Sequence, residues 1–396
     1  MRGQKKRWME RICLALVLAG LLWSGCGSVG TVSHNAQKEH GLTNREFHIS
    51  DVLTYESSME LAYATQFAVD RYQGGYKLIT IADGSRYLVV PEGKEVPKQL
   101  DEDVVVLQQP INQVYLVASA AMDPVCKLEA LSHIRFSGQK AEGWCVEEAR
   151  AAMERGDLLY AGKYSMPDYE QIVAEGCSLA IENNMISHSP EVMDKLESFG
   201  IPVLIDQSSY ESHPLGRVEW VKLYGVLFQK EALADALFAE QIAVVDRVTA
   251  QAPSGKTVAF FYFTANGLVN VRQASDYVPK MIGLAGGQYV FEDLGGEESN
   301  RSSVSIQMEQ FYNAAKDADY LIYNSTIDGE LESLAQLLEK ESLLQDFKAV
   351  KEGHVWCTTR DLYQQSMSIG GMIEDLHGML SGEEKGENMQ YLYPLQ

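Results

Sequence analysis

Ser209-Tyr210-Glu211-Ser212-His213-Pro214-Leu215-Gly216-Arg217-Val218-Glu219-Trp220 lies near the middle of the 396-residue chain, and its reading organises everything on either side. Pro214 cannot sit inside a helix, so it marks a start, and Gly216 permits backbone angles closed to other residues. Arg217 and Glu219 are close enough to pair locally, and Trp220 is a candidate to pack beneath a cleft. Beyond this run, residues 216–250 hold no Pro and one Gly after Gly216. Leu233, Leu237, Phe238, Ile242, Val245 and Val248 recur mostly at steps of three and four. That spacing predicts one long amphipathic helix over 216–250. At 1.5 Å per residue, twenty such residues span about 30 Å, roughly the width of a domain.

Both flanks of this helix alternate short apolar runs with helical stretches. Upstream are Val114–Val117, Ser178–Ile181 and Ile201–Ile205, with Val192, Met193, Leu196 and Phe199 at helical spacing between the last two. Downstream are Thr257–Phe263, Tyr320–Tyr323 and His354–Cys357. Such alternation predicts parallel α/β sheets. Farther upstream, Tyr76–Ile81 and Arg86–Val90 flank Asp83-Gly84, a hairpin signal in a β-rich segment. The predicted fold is therefore α/β, with two Rossmann-like lobes joined by one long backbone helix and an extra N-terminal β-rich segment. Its expected divisions are a leader over 1–25, a tether over 26–45, an N-terminal lobe over 46–215, the helix 216–250 and a C-terminal lobe over 251–396.

The N-terminus addresses the compartment. Arg2, Lys5, Lys6, Arg7 and Arg11 precede an apolar run from Ile12 to Trp23, then Ser24-Gly25-Cys26. A basic stretch, a short apolar core and small residues make a secretory signal, too short to span a bilayer. The position of Cys26 resembles a bacterial lipobox, with Trp23 where that pattern usually has Leu. The resemblance implies cleavage, lipidation of Cys26 and a chain anchored on the outer side of the cell membrane. Lys+Arg number 33 against 55 Asp+Glu, a formal charge of −22 that repels phosphate backbones and disfavours nucleic acid as a partner.

The 209–220 run with its helix resembles the substrate-binding lipoproteins of ABC importers for ferric siderophores, haem and cobalamin. Weaker matches follow in order: Met59–Ala64, Gly286–Val290, Ala318–Ile322 and Phe347–Trp356. The resemblance implies a monomeric binding protein, not an enzyme, that hands an iron complex or corrinoid to a permease and its ATPase. It also implies one acidic docking residue per lobe. Glu170 and Glu309 match by position, each opening a helix about ten residues ahead of a strand, with Ser165 and Ser305 as expected N-caps. An envelope enzyme or a sensor for a tetrapyrrole or metal chelate on the same fold is the alternative.

Residue chemistry agrees with binding more than with turnover. Gly255-Lys256-Thr257 lacks the earlier Gly of a phosphate loop, Ala250 standing there, and Gly176-Cys177-Ser178-Leu179-Ala180 lacks the second Gly of a nucleophile elbow. The eight histidines are dispersed and no HExxH or CxxC spacing occurs, so no catalytic residue and no protein-held metal is expected. Cys126 and Cys145 are spaced such that a disulfide is open to them. In open α/β sheets ligands sit beyond the carboxyl ends of strands. A large metal complex calls for aromatic faces and planar cations. Arg135, Trp144, Tyr262, Arg272, Tyr277, Arg360 and Tyr363 are the expected ligand contacts.

Overall fold

The structure, a computed structural model, describes Leu42 and residues 47–294, 302–382 and 389–396. The expected leader, Cys26 and all of the tether except Leu42 lie outside the described residues. Five strands come first: β1 (Tyr55–Ser58), β2 (Phe67–Tyr72), β3 (Lys77–Ile81), β4 (Arg86–Val90) and β5 (Val104–Gln108), adjacent in that order. The first four pair antiparallel and β5 joins β4 in parallel. Gly84 turns β3 into β4 at φ +94°, a conformation that favours glycine. Period-two alternation sends Val69, Ile79, Ile81 and Val89 to the main core and Leu78, Leu88 and Val90 to a separate cluster on the other face.

The N-terminal lobe follows with β6 (Val114–Leu116), α1 (Ser119–Lys127), β7 (Ile134–Ser137), α2 (Glu147–Arg155) and β8 (Leu159–Tyr160). After a small hairpin, β9 (Gly162–Lys163) and β10 (Met166–Pro167), come α3 (Tyr169–Ala174), β11 (Ala180–Asn183), α4 (Pro190–Ser198) and β12 (Val203–Asp206). The main strands lie in the order β12-β11-β6-β7-β8, all parallel. Leu116, Ile181 and Leu204 face one apolar layer and Tyr115, Ala180 and Val203 the other. A parallel sheet covered on both sides needs apolar residues at successive positions, which is why these strands read as unbroken apolar runs.

The expected single helix over 216–250 is three: α5 (Pro214–Glu219), α6 (Val221–Leu227) and α7 (Glu231–Thr249). The chain kinks at Trp220 and turns at Gln229, whose φ is +59°. Gly225 lets α6 close on α7, because a Cβ there would stand 2.8 Å from that of Ala234. Pro214 to Val221 and Leu223 to Phe228 are all buried, so no polar stripe betrayed the breaks. Only α7 keeps the predicted stripe, burying Ala234, Phe238, Val245 and Val248.

The C-terminal lobe contains β13 (Thr257–Phe263), β14 (Val269–Arg272), α8 (Tyr277–Leu284), β15 (Gln288–Tyr289), β16 (Ser303–Ile306), α9 (Met308–Ala315) and β17 (Tyr320–Tyr323). It ends with α10 (Ser325–Asp328), α11 (Leu334–Lys340), α12 (Lys348–Glu352), β18 (Val355–Thr358), α13 (Ile369–Ser381) and β19 (Leu392–Pro394). β15, β13, β17 and β18 run parallel, while β14, β16 and β19 are antiparallel additions.

Two buried carboxylates join the N-terminal segment to the centre. Glu219, fully buried, accepts the backbone N–H groups of Ala62, Tyr63 and Ala64 at 2.8–3.1 Å and the Lys222 ammonium at 2.9 Å. Glu211 accepts the N–H groups of Thr65 and Gln66, the Thr65 hydroxyl and the Trp220 indole N–H, all at 2.9–3.0 Å. The expected Arg217–Glu219 pair does not form, because two positions apart on α5 the side chains point to different sides. His213 caps α5 by accepting the Leu215 N–H at 3.2 Å and stacks on Tyr63. Burial holds the His213 ring down to about 4, which leaves it neutral and able to accept. Hydrogen bonds to a buried charge are worth about 1.5–3 kcal/mol each, and orphaned donors add to the loss. Glu219→Ala should therefore cost at least roughly 3 kcal/mol in denaturant unfolding and expose residues 61–66 to limited proteolysis; a loss under 1 kcal/mol would show that the clamp holds nothing.

Candidate functional site

Chain order in the N-terminal sheet runs β6, β7, β8 toward one edge and then resumes with β11 on the opposite side of β6. The strand order thus reverses between β6 and β11, and a crevice opens outside the carboxyl ends of the strands at such a point. A cavity of about 260 Å³ lies there. Its N-terminal wall is Ala118, Ser119 and Ala120 after β6, Asn183 at the end of β11, and Asp206, Ser208 and Ser209 at the end of β12. The opposite wall comes from Arg272, Asp276, Tyr277, Ser302 and Tyr363, and α5 contributes Arg217. A larger hollow of about 400 Å³ beside His377 lies near Pro253 and Gly286, at the amino ends of β13 and β15, where this fold offers no crevice.

Two arginines set the character of the cavity. Arg272 ends β14, pairs with Asp276 at 3.0 Å and lies 5.3 Å from the centre of the Tyr363 ring. Arg217 is 7% exposed and rests over the Tyr277 ring at 4.1 Å. Its Nε is buried with no hydrogen-bond partner. Both carboxylates in the wall are already engaged. Asp276 accepts from Arg272 and from the Val278 N–H, and Asp206 from the Ser208 N–H and the Tyr224 hydroxyl. Burial pushes the Tyr277 hydroxyl well above the usual phenol range, so it stays a neutral donor.

Three of the seven expected contacts, Arg272, Tyr277 and Tyr363, line this cavity. Tyr262 is outside the lining, and burial raises its hydroxyl above the ordinary phenol value. Trp144 is 1% exposed in the main core, its indole N–H given to Ser137 at 3.0 Å, so it presents no face to a ligand. Arg135 sits near the amino end of β7, paired with Glu175 at 2.7 Å and bound to the carbonyls of Gly156 and Asp157. It is at the wrong end of its strand for the cavity. Arg360 bonds the Glu142 carbonyl at 3.3 Å and thus bridges the lobes. Sequence reasoning missed Arg217, assigning it a local pair; the signal was its spacing of two from Glu219, at which side chains on one helix do not meet.

Glu170 and Glu309 are both exposed, each the second residue of its helix, α3 and α9. The expected caps are corrected. Asp168, not Ser165, caps α3 by accepting the Gln171 N–H, and Gln307 precedes α9 while Ser305 lies within β16. Cys126 and Cys145 are free thiols.

The lobes meet through the segment after β18. Gln364 accepts the Cys145 N–H at 2.7 Å and donates to the Gly143 carbonyl at 2.8 Å. Ser366 donates to the Ala120 carbonyl, and the Met367 N–H to Asp123 of α1, both at 2.8 Å. Burial pushes the Asp123 carboxyl up to about 6. A carboxyl raised in the folded state favours folding at low pH, and that contribution is lost as pH rises through about 6. Asp123→Asn should remove a decline in stability between pH 4 and 6 of up to about 3 kcal/mol; identical melting-temperature profiles for variant and wild type would refute this role.

The fold and its crevice define a two-lobed ligand-capturing protein. The sequence model described as periplasmic binding protein matches residues 134–362, and the chain belongs to that family. The match begins after the five-stranded N-terminal sheet. An uncharacterised lipoprotein of Methanocaldococcus jannaschii is 26% identical, over 94% of this chain and 92% of that one. A second lipoprotein of the same organism is 23% identical over 84% and 86%. Among solved structures, the periplasmic haem-binding protein of Vibrio cholerae superposes with a TM-score of 0.56 at 15% identity, covering 67% of this chain and 98% of that one. A ferric-hydroxamate transport protein of Saccharomonospora viridis gives 0.53 at 18%, over 68% and 93%. The family and these neighbours are binding proteins, and the lipoprotein relatives agree with a place outside the cytoplasm at a membrane.

Proposed function

We propose that this protein is the lipid-anchored, extracytoplasmic solute-binding component of an ABC importer. It captures an iron complex, siderophore or haem, or a cobalamin, and delivers it to the permease. The observation that carries this reading is the cavity at the strand-order reversal, walled by both lobes and lined by Arg217, Arg272, Tyr277 and Tyr363. Aromatic faces supply contact area at small entropic cost and arginines supply planar donors, the combination that a large chelate of mixed polarity requires. No bond chemistry is needed: binding, a modest change in lobe spacing and docking suffice. The lipoprotein relatives and the haem-binding and ferric-hydroxamate neighbours support the same reading. Cys26 is the proposed anchor.

A thermal-shift screen of the purified chain against ferric siderophores, haemin, cobalamin, cobinamide and divalent cations tests it. A true ligand at 100 times its Kd adds about 2.7 kcal/mol of stability. A response to one complex identifies the cargo, and silence across the panel refutes capture of metal complexes.

Glu170 and Glu309 are the proposed permease contacts, each an exposed carboxylate able to meet an arginine in a charge-assisted pair. Glu170→Ala combined with Glu309→Ala should abolish cellular uptake of the labelled ligand while equilibrium dialysis gives an unchanged Kd. A matching loss in both assays would show that these residues serve binding, not docking.

A further inference from the structure

We propose that the cavity selects complexes carrying a free carboxylate, with Arg217 as the group that reads it; this rests on the binding-protein reading above. A guanidinium buried to 7% exposure is costly unless something pairs with it. Arg217 has a buried Nε without a partner, and the adjacent candidate, Glu219, is filled by three backbone N–H groups and Lys222. The other arginine of the cavity is neutralised by Asp276 at 3.0 Å. Asp206 spends its oxygens on Ser208 and Tyr224. Among the described residues, Arg217 is therefore the arginine of this wall without a carboxylate partner.

Its geometry narrows the class of anion. The Tyr277 ring lies under the guanidinium at 4.1 Å, a cation–π distance. With an aromatic ring covering one side, the planar fork of guanidinium donors suits a planar, two-oxygen acceptor, the shape of a carboxylate. A second positive element shares the cavity. Helix α1 starts at its wall with nine residues and no acidic side chain in its first turn. The leading N–H groups of such a helix have no intrahelical acceptor and carry partial positive charge. Ser119, Ser208 and Ser209 add hydroxyls for the remaining oxygen lone pairs. Arg217 and Arg272 stand against Asp206 and Asp276 in the lining, so the site has no net formal charge and attraction to an anion is local to Arg217.

A carboxylate reaches a metal complex from two chemical sources: the propionates of a tetrapyrrole, or the free arms of a polycarboxylate chelate. Titrations of the purified chain with haemin and with ferric citrate distinguish them. Cyanocobalamin, whose side chains are amides, and the neutral trihydroxamate ferrichrome serve as carboxylate-free comparisons. Haemin or ferric citrate should bind, the carboxylate-free complexes should bind more weakly, and Arg217→Gln should raise the Kd by about 10- to 100-fold. Arg217→Lys, which keeps the charge but loses the planar fork, should fall between. If Arg217→Gln fails to fold, Arg217→Lys decides alone, and an unchanged Kd in it overturns the proposal. Tighter binding of ferrichrome or cyanocobalamin, or a Kd unmoved in Arg217→Gln, also overturns it while leaving chelate capture standing. Absence of binding by all four complexes refutes chelate capture and this selectivity together.

Discussion

Two buried carboxylates eight residues apart, Glu211 and Glu219, hold the centre of this molecule. Each accepts a run of backbone N–H groups from one stretch, Ala62 to Gln66, which leads into the N-terminal sheet. Backbone donors buried away from water must be satisfied, and a charged acceptor satisfies several at once. The clamp therefore fixes the N-terminal sheet against α5, and it does a second thing. It turns Glu219 toward that stretch, while Arg217, two positions earlier on the same short helix, points to a different side. One short helix thus fastens two parts of the fold and carries a cation at the cavity wall.

The position of that cavity follows from topology. A parallel sheet whose strand order reverses sends its connections to opposite faces, and the gap between them lies beyond the strand ends. In this chain the gap falls between β6 and β11, and the C-terminal half covers it with Arg272, Tyr277 and Tyr363. The segment from Gln364 to Met367 docks on α1 and its neighbourhood, so the same helix forms part of the cavity wall and part of the lobe contact.

Much of this was legible one stretch at a time. The Asp-Gly hairpin, the apolar runs that became β6, β11, β12, β13, β17 and β18, and the acidic helix starts at Glu170 and Glu309 are local signals carried by residue type and spacing. The long helix was misread for a physical reason. α5 and nearly all of α6 are buried, the charged Arg217 and Glu219 included, so no division into apolar and polar faces marks the kink at Trp220 or the turn at Gln229. The antiparallel strands β14 and β16 were not anticipated: β14 closes a local hairpin on β13 around Asn266-Gly267, a signal that was overlooked, whereas the four-residue β16 pairs with β14 from 31 to 37 positions away.

Residue type by itself determined that the chain alternates strand and helix on both sides of a central helical region, that a hairpin precedes them, and that arginines and aromatic residues cluster near strand ends. Tertiary structure decided which of those residues meet. Trp144 and Arg135 have the same chemistry as the side chains of the cavity, yet one is consumed by the core and the other by a carboxylate at the opposite end of its strand. Arg217 became a cavity residue because α5 turns it and Glu219, two positions on, to different sides, and the carboxylate meets backbone 155 residues away. Local spacing records what a side chain can do; competition among partners brought together by folding settles what it is left free to do.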